Sequence, residues 1–256
     1  MIHPHAVVDD RARLAEDVVV GPFSVIGPEV EIGPGCVIGS HVVIKGPTRI
    51  GRENRIYQFA SVGDAPQDKK YAGEDTRLEM GDRNTIREYA TINRGTVQDR
   101  GETRIGNDCL LMAYTHVAHD CVLGDNVIMS NAASLGGHVH VADWVILSGF
   151  ALVHQFCHVG AHSFVGMNAA VTRDLPPYVL VAGNPAEPHG INSKGLMRRG
   201  FSESSLRIIK QAYKLLYKSG LKLEEARKAI DELASEHAEL ACLSEFLEDS
   251  SRGILR

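Results

Sequence analysis

The chain has 256 residues, with 27 Lys and Arg against 32 Asp and Glu, for a formal charge of −5. That balance excludes a general attraction to nucleic acid or anionic membrane, and 44% hydrophobic with 23% charged residues describes an ordinary globular protein. No apolar stretch is long enough to span a bilayer and the opening Met1-Ile2-His3-Pro4-His5-Ala6 is unlike an export signal, so a cytoplasmic protein without stable membrane insertion is expected.

From the first residues an aliphatic side chain recurs every six positions. The first block runs Ile2, Val8, Leu14, Val20, Ile26, Ile32, Ile38, Ile44, Ile50, Ile56 and Val62. Met80, Ile86 and Ile92 follow after a step of eighteen; a step of thirteen then follows, one more than two hexads, so a loop is expected to leave the register there. The third block is Ile105, Leu111, Val117, Leu123, Met129, Leu135, Val141, Leu147, Val153, Val159, Val165 and Val171. Of these 26 positions, 12 are followed by Gly, far more than scattered placement of 25 glycines would produce. A helix repeats every 3.6 residues and a flat strand every two, so neither explains a period of six. Short strands joined by tight corners do, with each aliphatic side chain pointing into one continuous column. The pattern resembles the hexapeptide-repeat proteins, which implies a left-handed parallel β-helix with eighteen residues per triangular coil. Five cysteines (Cys36, Cys109, Cys121, Cys157 and Cys242) form no CxxC pair and suit reduced, packed thiols.

Beyond Val171, Asp174-Leu175-Pro176-Pro177-Tyr178 and Gly183-Asn184-Pro185 predict a break in regular structure. A helix is expected from Ser202 or Ser204, with Leu206, Ile209, Tyr213 and Leu216 on its apolar face, ending near Ser219-Gly220. Two more are expected over 223–236 and 238–247. The chain thus divides into a mainly β domain, 1–188, and a C-terminal α-helical domain, 189–256. Residues 194–222 hold eight Lys and Arg against one acid, Glu203, so this stretch is +7 and the remainder −12. Lys210, Lys214 and Lys218 form one basic stripe, suited to an acidic protein or to phosphates.

Where the register is unbroken, residues eighteen apart stack. His119, Gly137 and Gln155 form one column, flanked by Asp120 and His138 on one side and His154 on the other, with His116 three residues earlier. His140, His158 and His162 fall off this edge and read as structural. A neutral imidazole can take a proton from an alcohol while a carboxylate holds its tautomer, and His119 with Asp120 supply that pair. The Gly137 amide, one coil above, is a candidate oxyanion donor in acyl transfer. A zinc site of the kind found in carbonic-anhydrase-like hexapeptide proteins, using His116, His119 and His138, is the competing reading, although the spacing and the adjacent Asp120 fit it poorly.

Seven segments carry a closer resemblance over essentially the whole chain. They are Ile56-Tyr57-Gln58-Phe59-Ala60-Ser61-Val62-Gly63, Lys70-Tyr71-Ala72-Gly73-Glu74, Arg94-Gly95-Thr96-Val97-Gln98, His116-Val117-Ala118-His119-Asp120, Gly137-His138-Val139, Val153-His154-Gln155-Phe156 and Arg198-Arg199-Gly200-Phe201. In these the sequence is similar to the UDP-N-acetylglucosamine O-acyltransferase family, which begins lipid A synthesis. The resemblance implies a homotrimer with active sites between subunits, a 3-hydroxyacyl donor on acyl carrier protein, UDP-N-acetylglucosamine as acceptor, and no cofactor or metal. It assigns His119 as general base, Asp120 as its orienting partner and Gly137 as oxyanion donor. Lys70, His138 and His154 would hold the substrates, Gln67, Asp68 and His116 would lie near the sugar, Gln155, Asn192 and Arg198 would serve the nucleotide end, and Arg199 would be a further substrate-binding residue. Lys194 stands where well-known members have Glu near the nucleotide, so that contact is expected to differ in charge; Asn93 stands where some have His, and a 3-amino sugar nucleotide remains an alternative acceptor. Met167 occupies the position that acts as an acyl-chain ruler in the family, and its bulk implies a chain of roughly ten carbons. A sibling N-acyltransferase family carries an additional N-terminal domain, for which hexads starting at Ile2 are expected to leave no room.

Overall fold

A computed structural model describes residues 1–250 and 253–256. Among these, short strands stack into three sheets of nine, eight and ten members. The first face runs from Val7–Val8 to Ala170–Val171, the second from Arg13–Leu14 to His158–Val159, and the third from Val19–Val20 through Phe164–Val165 to Val179–Ala182 and Glu187–Ile191. Pairing is parallel and joins residues one coil apart, as in His116 with Ser134 and Ser134 with Leu152. The architecture is the expected left-handed parallel β-helix followed by helices.

The period of six sets the core. Of the 26 register positions, 23 are no more than 3% exposed, and the exceptions, Ile2, Val8 and Leu14, belong to the first coil, which has no coil beneath it. Each buried side chain contributes about 1.5–3 kcal/mol, and every coil supplies one to each face. The third residue of a corner takes a left-handed conformation even when it is not glycine: φ is 59° at Asp120, 61° at His138 and 64° at Phe156. Such a conformation costs about 1–2 kcal/mol in an L-residue and recurs here because the corner geometry repeats. It also aligns third-position side chains into columns. On the edge between the third and first faces, His5, Phe23, His41, Phe59, Tyr89 and Tyr114 stack with ring centroids 4.8–5.5 Å apart.

The segment after Val171 differs from expectation. Val179–Ala182 joins the third face beside Phe164–Val165, and Glu187–Ile191 returns antiparallel to it, so the expected boundary at 188/189 falls inside a strand. Gly183, with φ 98°, turns the hairpin, which is why its Gly and Pro residues read as a break. Helix α1, Ser193–Arg198, is too short to show an apolar period and was not expected; Asn192 caps it, accepting from the Gly195 N–H. Helix α2, Glu203–Tyr217, is capped by Ser202 and buries Ile209, Ala212, Tyr213 and Leu216. Helix α3 spans Leu223–Glu236 as expected. A 3-10 turn, Ala238–Leu240, precedes helix α4, Ala241–Asp249, where one helix over 238–247 was expected. No helix among the described residues is long and apolar enough to cross a membrane.

Candidate functional site

Two segments leave the coil at the edge between the first and second faces. One, 65–76, connects Ser61–Asp64 to Arg77–Met80; the other, 94–101, connects Thr91–Asn93 to Glu102–Ile105 and contains the residue in excess of the hexads. With the corners above them they enclose an open hollow of about 880 Å³, lined by Gln67, Asp68, Lys69, Lys70, Gln98, Asp99, His119, His138, Gln155 and Phe156.

At its base stands the pair expected from the sequence. His119 Nδ1 lies 2.8 Å from Asp120 Oδ2, and the Asp120 carboxyl is fully buried. Burial alone pushes that carboxyl upward, but hydrogen bonds from His119 and from the Thr96 hydroxyl and backbone N–H hold it below its ordinary value, so it is a carboxylate at neutral pH. With Nδ1–H donated to Asp120, the His119 Nε2 is left as an acceptor. His138 meets His119 edge-on at 5.0 Å, stacks on Phe156 at 4.3 Å, and directs Nδ1 to Asp99 Oδ2 at 3.0 Å.

Gly137 is buried against the His119 ring: a Cβ added there would lie 2.6 Å from Cε1 and 2.8 Å from Nε2. Its glycine is explained by that approach, because any side chain displaces the imidazole. It does not itself line the hollow.

The other expected residues separate. His154 is exposed on the same edge beside Gln155, with Nδ1 3.1 Å from the Gln155 carbonyl. His116 lies on the first face, its Nδ1 2.7 Å from the Thr91 hydroxyl; burial, then the charge of nearby His119, lowers its pKa and keeps it neutral. Met167 is 74% exposed on the edge between the third and first faces, away from the hollow. Asn192 is buried at the edge between the second and third faces, donating to the His162 carbonyl while capping α1. Arg198 is exposed at the end of α1, and Arg199 lies over Trp144 and reaches His162 Nδ1 at 3.1 Å. His140 and His158 stack at 4.6 Å on the second face, off the hollow. Thr96, Gln98, Asp99 and Phe156 were missed as site residues. The first three ride on the out-of-phase loop, whose thirteen-residue interval was the available signal.

Other chemistry is constrained by the same contacts. His119, Asp120 and His138 each place a possible metal donor within 4.8 Å of the others, but the Asp120 oxygens already accept from Thr96 and His119, and His116 points to Thr91. The five cysteines are thiols; burial pushes Cys109 and Cys121 up to about 12, which makes them poor nucleophiles.

A stacked coil of hexads bearing an imidazole paired with a buried carboxylate in an edge hollow is the plan of a hexapeptide-repeat acyltransferase. Residues 11–46 and 102–137 match the bacterial transferase hexapeptide model, and residues 174–255 match the second domain of UDP-N-acetylglucosamine O-acyltransferase. Among curated relatives, the acyl-carrier-protein-dependent UDP-N-acetylglucosamine O-acyltransferases of Stutzerimonas stutzeri and Janthinobacterium are 56% and 58% identical, over 100% of this chain and 99% of each relative. Solved UDP-N-acetylglucosamine acyltransferases from Francisella novicida (44% identity, TM-score 0.98) and Campylobacter jejuni (36%, 0.94) cover 100% of this chain and 94% and 99% of their own. The chain belongs to the UDP-N-acetylglucosamine O-acyltransferase family.

Proposed function

We propose that this enzyme transfers a 3-hydroxyacyl group of roughly ten carbons from acyl carrier protein to the 3-hydroxyl of UDP-N-acetylglucosamine, with His119 as general base. The observation that carries the mechanism is the 2.8 Å contact between His119 Nδ1 and the buried Asp120 carboxylate, which leaves Nε2 directed to accept. His119 Nε2 takes the acceptor's hydroxyl proton as that oxygen attacks the thioester carbonyl carbon. The tetrahedral oxyanion is met by the Gly137 N–H, which has no acceptor among the described residues. As the carbon–sulfur bond breaks, the imidazolium returns its proton to the departing thiolate, while Asp120 stabilises the charge on the ring. Lys70, His138 and His154 hold the substrates, and Gln67, Asp68 and His116 serve the sugar.

Within one chain the assigned residues occupy different edges of a triangular coil: the hollow on one, Met167 on a second, Asn192, Arg198 and Arg199 at the third. Edges of one rigid coil cannot converge, so assembling the set needs neighbouring copies. A homotrimer with its sites between subunits meets that need, with the acyl chain running toward Met167 and the nucleotide toward Asn192 and Arg198. The exposed stripe of Lys210 and Lys214 on α2 and Lys218 at its C-cap is the docking face for the acidic carrier protein.

The test is His119→Ala, assayed with acyl carrier protein bearing 3-hydroxyacyl chains and either UDP-N-acetylglucosamine or its 3-amino analogue. The trimer stays folded and turnover falls about a hundredfold or more. Retention of more than about a tenth of the wild-type rate overturns the base assignment. A product from the amino analogue alone would move the reading to N-acylation, and loss of activity on chelation, restored by zinc, to a metal site.

A further inference from the structure

The segment Arg94–Gly101 does more than cross the edge. Thr96 is buried and turns two donors on one carboxylate: its N–H to Asp120 Oδ1 at 2.8 Å and its hydroxyl to Oδ2 at 2.6 Å. Oδ2 is the oxygen that also meets His119 Nδ1. Three residues on, Asp99 Oδ2 lies 3.0 Å from His138 Nδ1. The root of the segment is fixed, because the Arg94 guanidinium donates to the carbonyls of Gly46 and Gly63 and to the Tyr71 hydroxyl. Gly95 packs so closely that an added Cβ would lie 2.1 Å from the Glu102 nitrogen.

We infer that this loop is the positioning element of the site, with Thr96 orienting Asp120 and Asp99 orienting His138; the inference rests on His119 acting as the base. A carboxylate held by one donor can rotate about its last torsion. Held by two donors from one residue, it has its plane set, and the remaining lone pair on Oδ2 is aimed at His119. Partners of this kind fix the tautomer and direction of an imidazole, and their loss costs about 10–100-fold in comparable sites. Asp99 does the same for the second imidazole from the solvent side. Neither residue transfers a proton in the reaction.

The experiment compares Thr96→Val, Thr96→Ser, Asp99→Asn and His119→Ala in the full chain, by kcat and KM across pH and by 15N-edited NMR of the imidazole tautomers. Valine keeps the shape and backbone N–H of Thr96 and removes only the hydroxyl. It lowers kcat about tenfold with little change in KM, disturbs the His119 tautomer signal, and moves the acid limb of the rate profile to higher pH, because Asp120 loses a donor that favours its charged form. Serine restores all three. Asp99→Asn raises KM severalfold and alters the His138 signal. Wild-type kcat and an unchanged His119 signal in Thr96→Val, alongside an inactive His119→Ala, overturn the inference and leave the base assignment standing. An active His119→Ala overturns that assignment instead. If the valine variant does not fold, Asp99→Asn decides alone, since Asp99 is exposed: unchanged KM and His138 signal overturn the inference.

Discussion

Substituting Gly137 by Ala probes how tightly the base is held, with almost no change in composition. The backbone there is not in the left-handed region, so alanine adds a methyl group without torsional strain. That methyl would sit 2.6 Å from His119 Cε1 and 2.8 Å from Nε2, where ordinary contact begins at 3.4 Å. The ring must therefore retreat by roughly 0.8 Å in a close-packed corner, which stretches its bond to Asp120 and misaims Nε2. A displacement of about 1 Å at a reacting group costs about a hundredfold in rate, whereas overpacking costs only about 1–3 kcal/mol of stability. The expected variant is folded, melts a few degrees lower, and turns over about a hundredfold more slowly. Initial rates with both substrates saturating, beside a circular-dichroism melt, measure the two effects separately. Activity within about threefold of wild type would refute the claim that contact with residue 137 sets the imidazole.

Other perturbations test other parts of the reading. Met167→Gly should extend the accepted acyl chain, read by competition among carrier-protein substrates of different lengths; an unchanged preference removes the ruler. Replacing Lys210, Lys214 and Lys218 with Glu should raise KM for the acylated carrier protein tenfold or so and flatten its salt dependence while kcat holds; equal KM values would move docking elsewhere. Stability should fall on acidification. Burial, then the charges of His158 and Arg100, lowers His140 to about 4, and burial, then Arg199, lowers His162 to about 4, against about 6.5 unfolded. Both rings stay neutral in the fold while the unfolded chain takes up protons, so stability present above about pH 6.5 is lost toward pH 4, by at most about 1.4 kcal/mol per unit per ring and roughly half that after allowance for partial exposure. Replacing both with Gln should flatten the melting curve against pH over that range; parallel curves would contradict the assignment.

The β-helix was legible because its core is a local, repeated demand. Each hexad buries its own aliphatic residue, so a single string of letters states the period and the stacking of His119 beneath Gly137. Residues that stay in phase were therefore placed correctly, including Asp120 beside His119 and His138 one coil above. The α3 helix was readable for the same reason, its apolar spacing being internal to the segment.

What escaped reading depends on contacts between parts of the chain that share no period. Thr96 meets Asp120 across 24 positions and Asp99 meets His138 across 39, through a loop whose path is set by Arg94 and Gly95. The hairpin at Val179–Ala182 and Glu187–Ile191 forms because the third face offers an open strand edge, a fact absent from its own Gly and Pro residues. Most of all, the sequence by itself determined which coil each residue in phase with the register occupies. Only the tertiary structure decided that Asn192 stands on a different edge from His119, because it lies beyond the last register position and its place is set by the hairpin that adds to the third face.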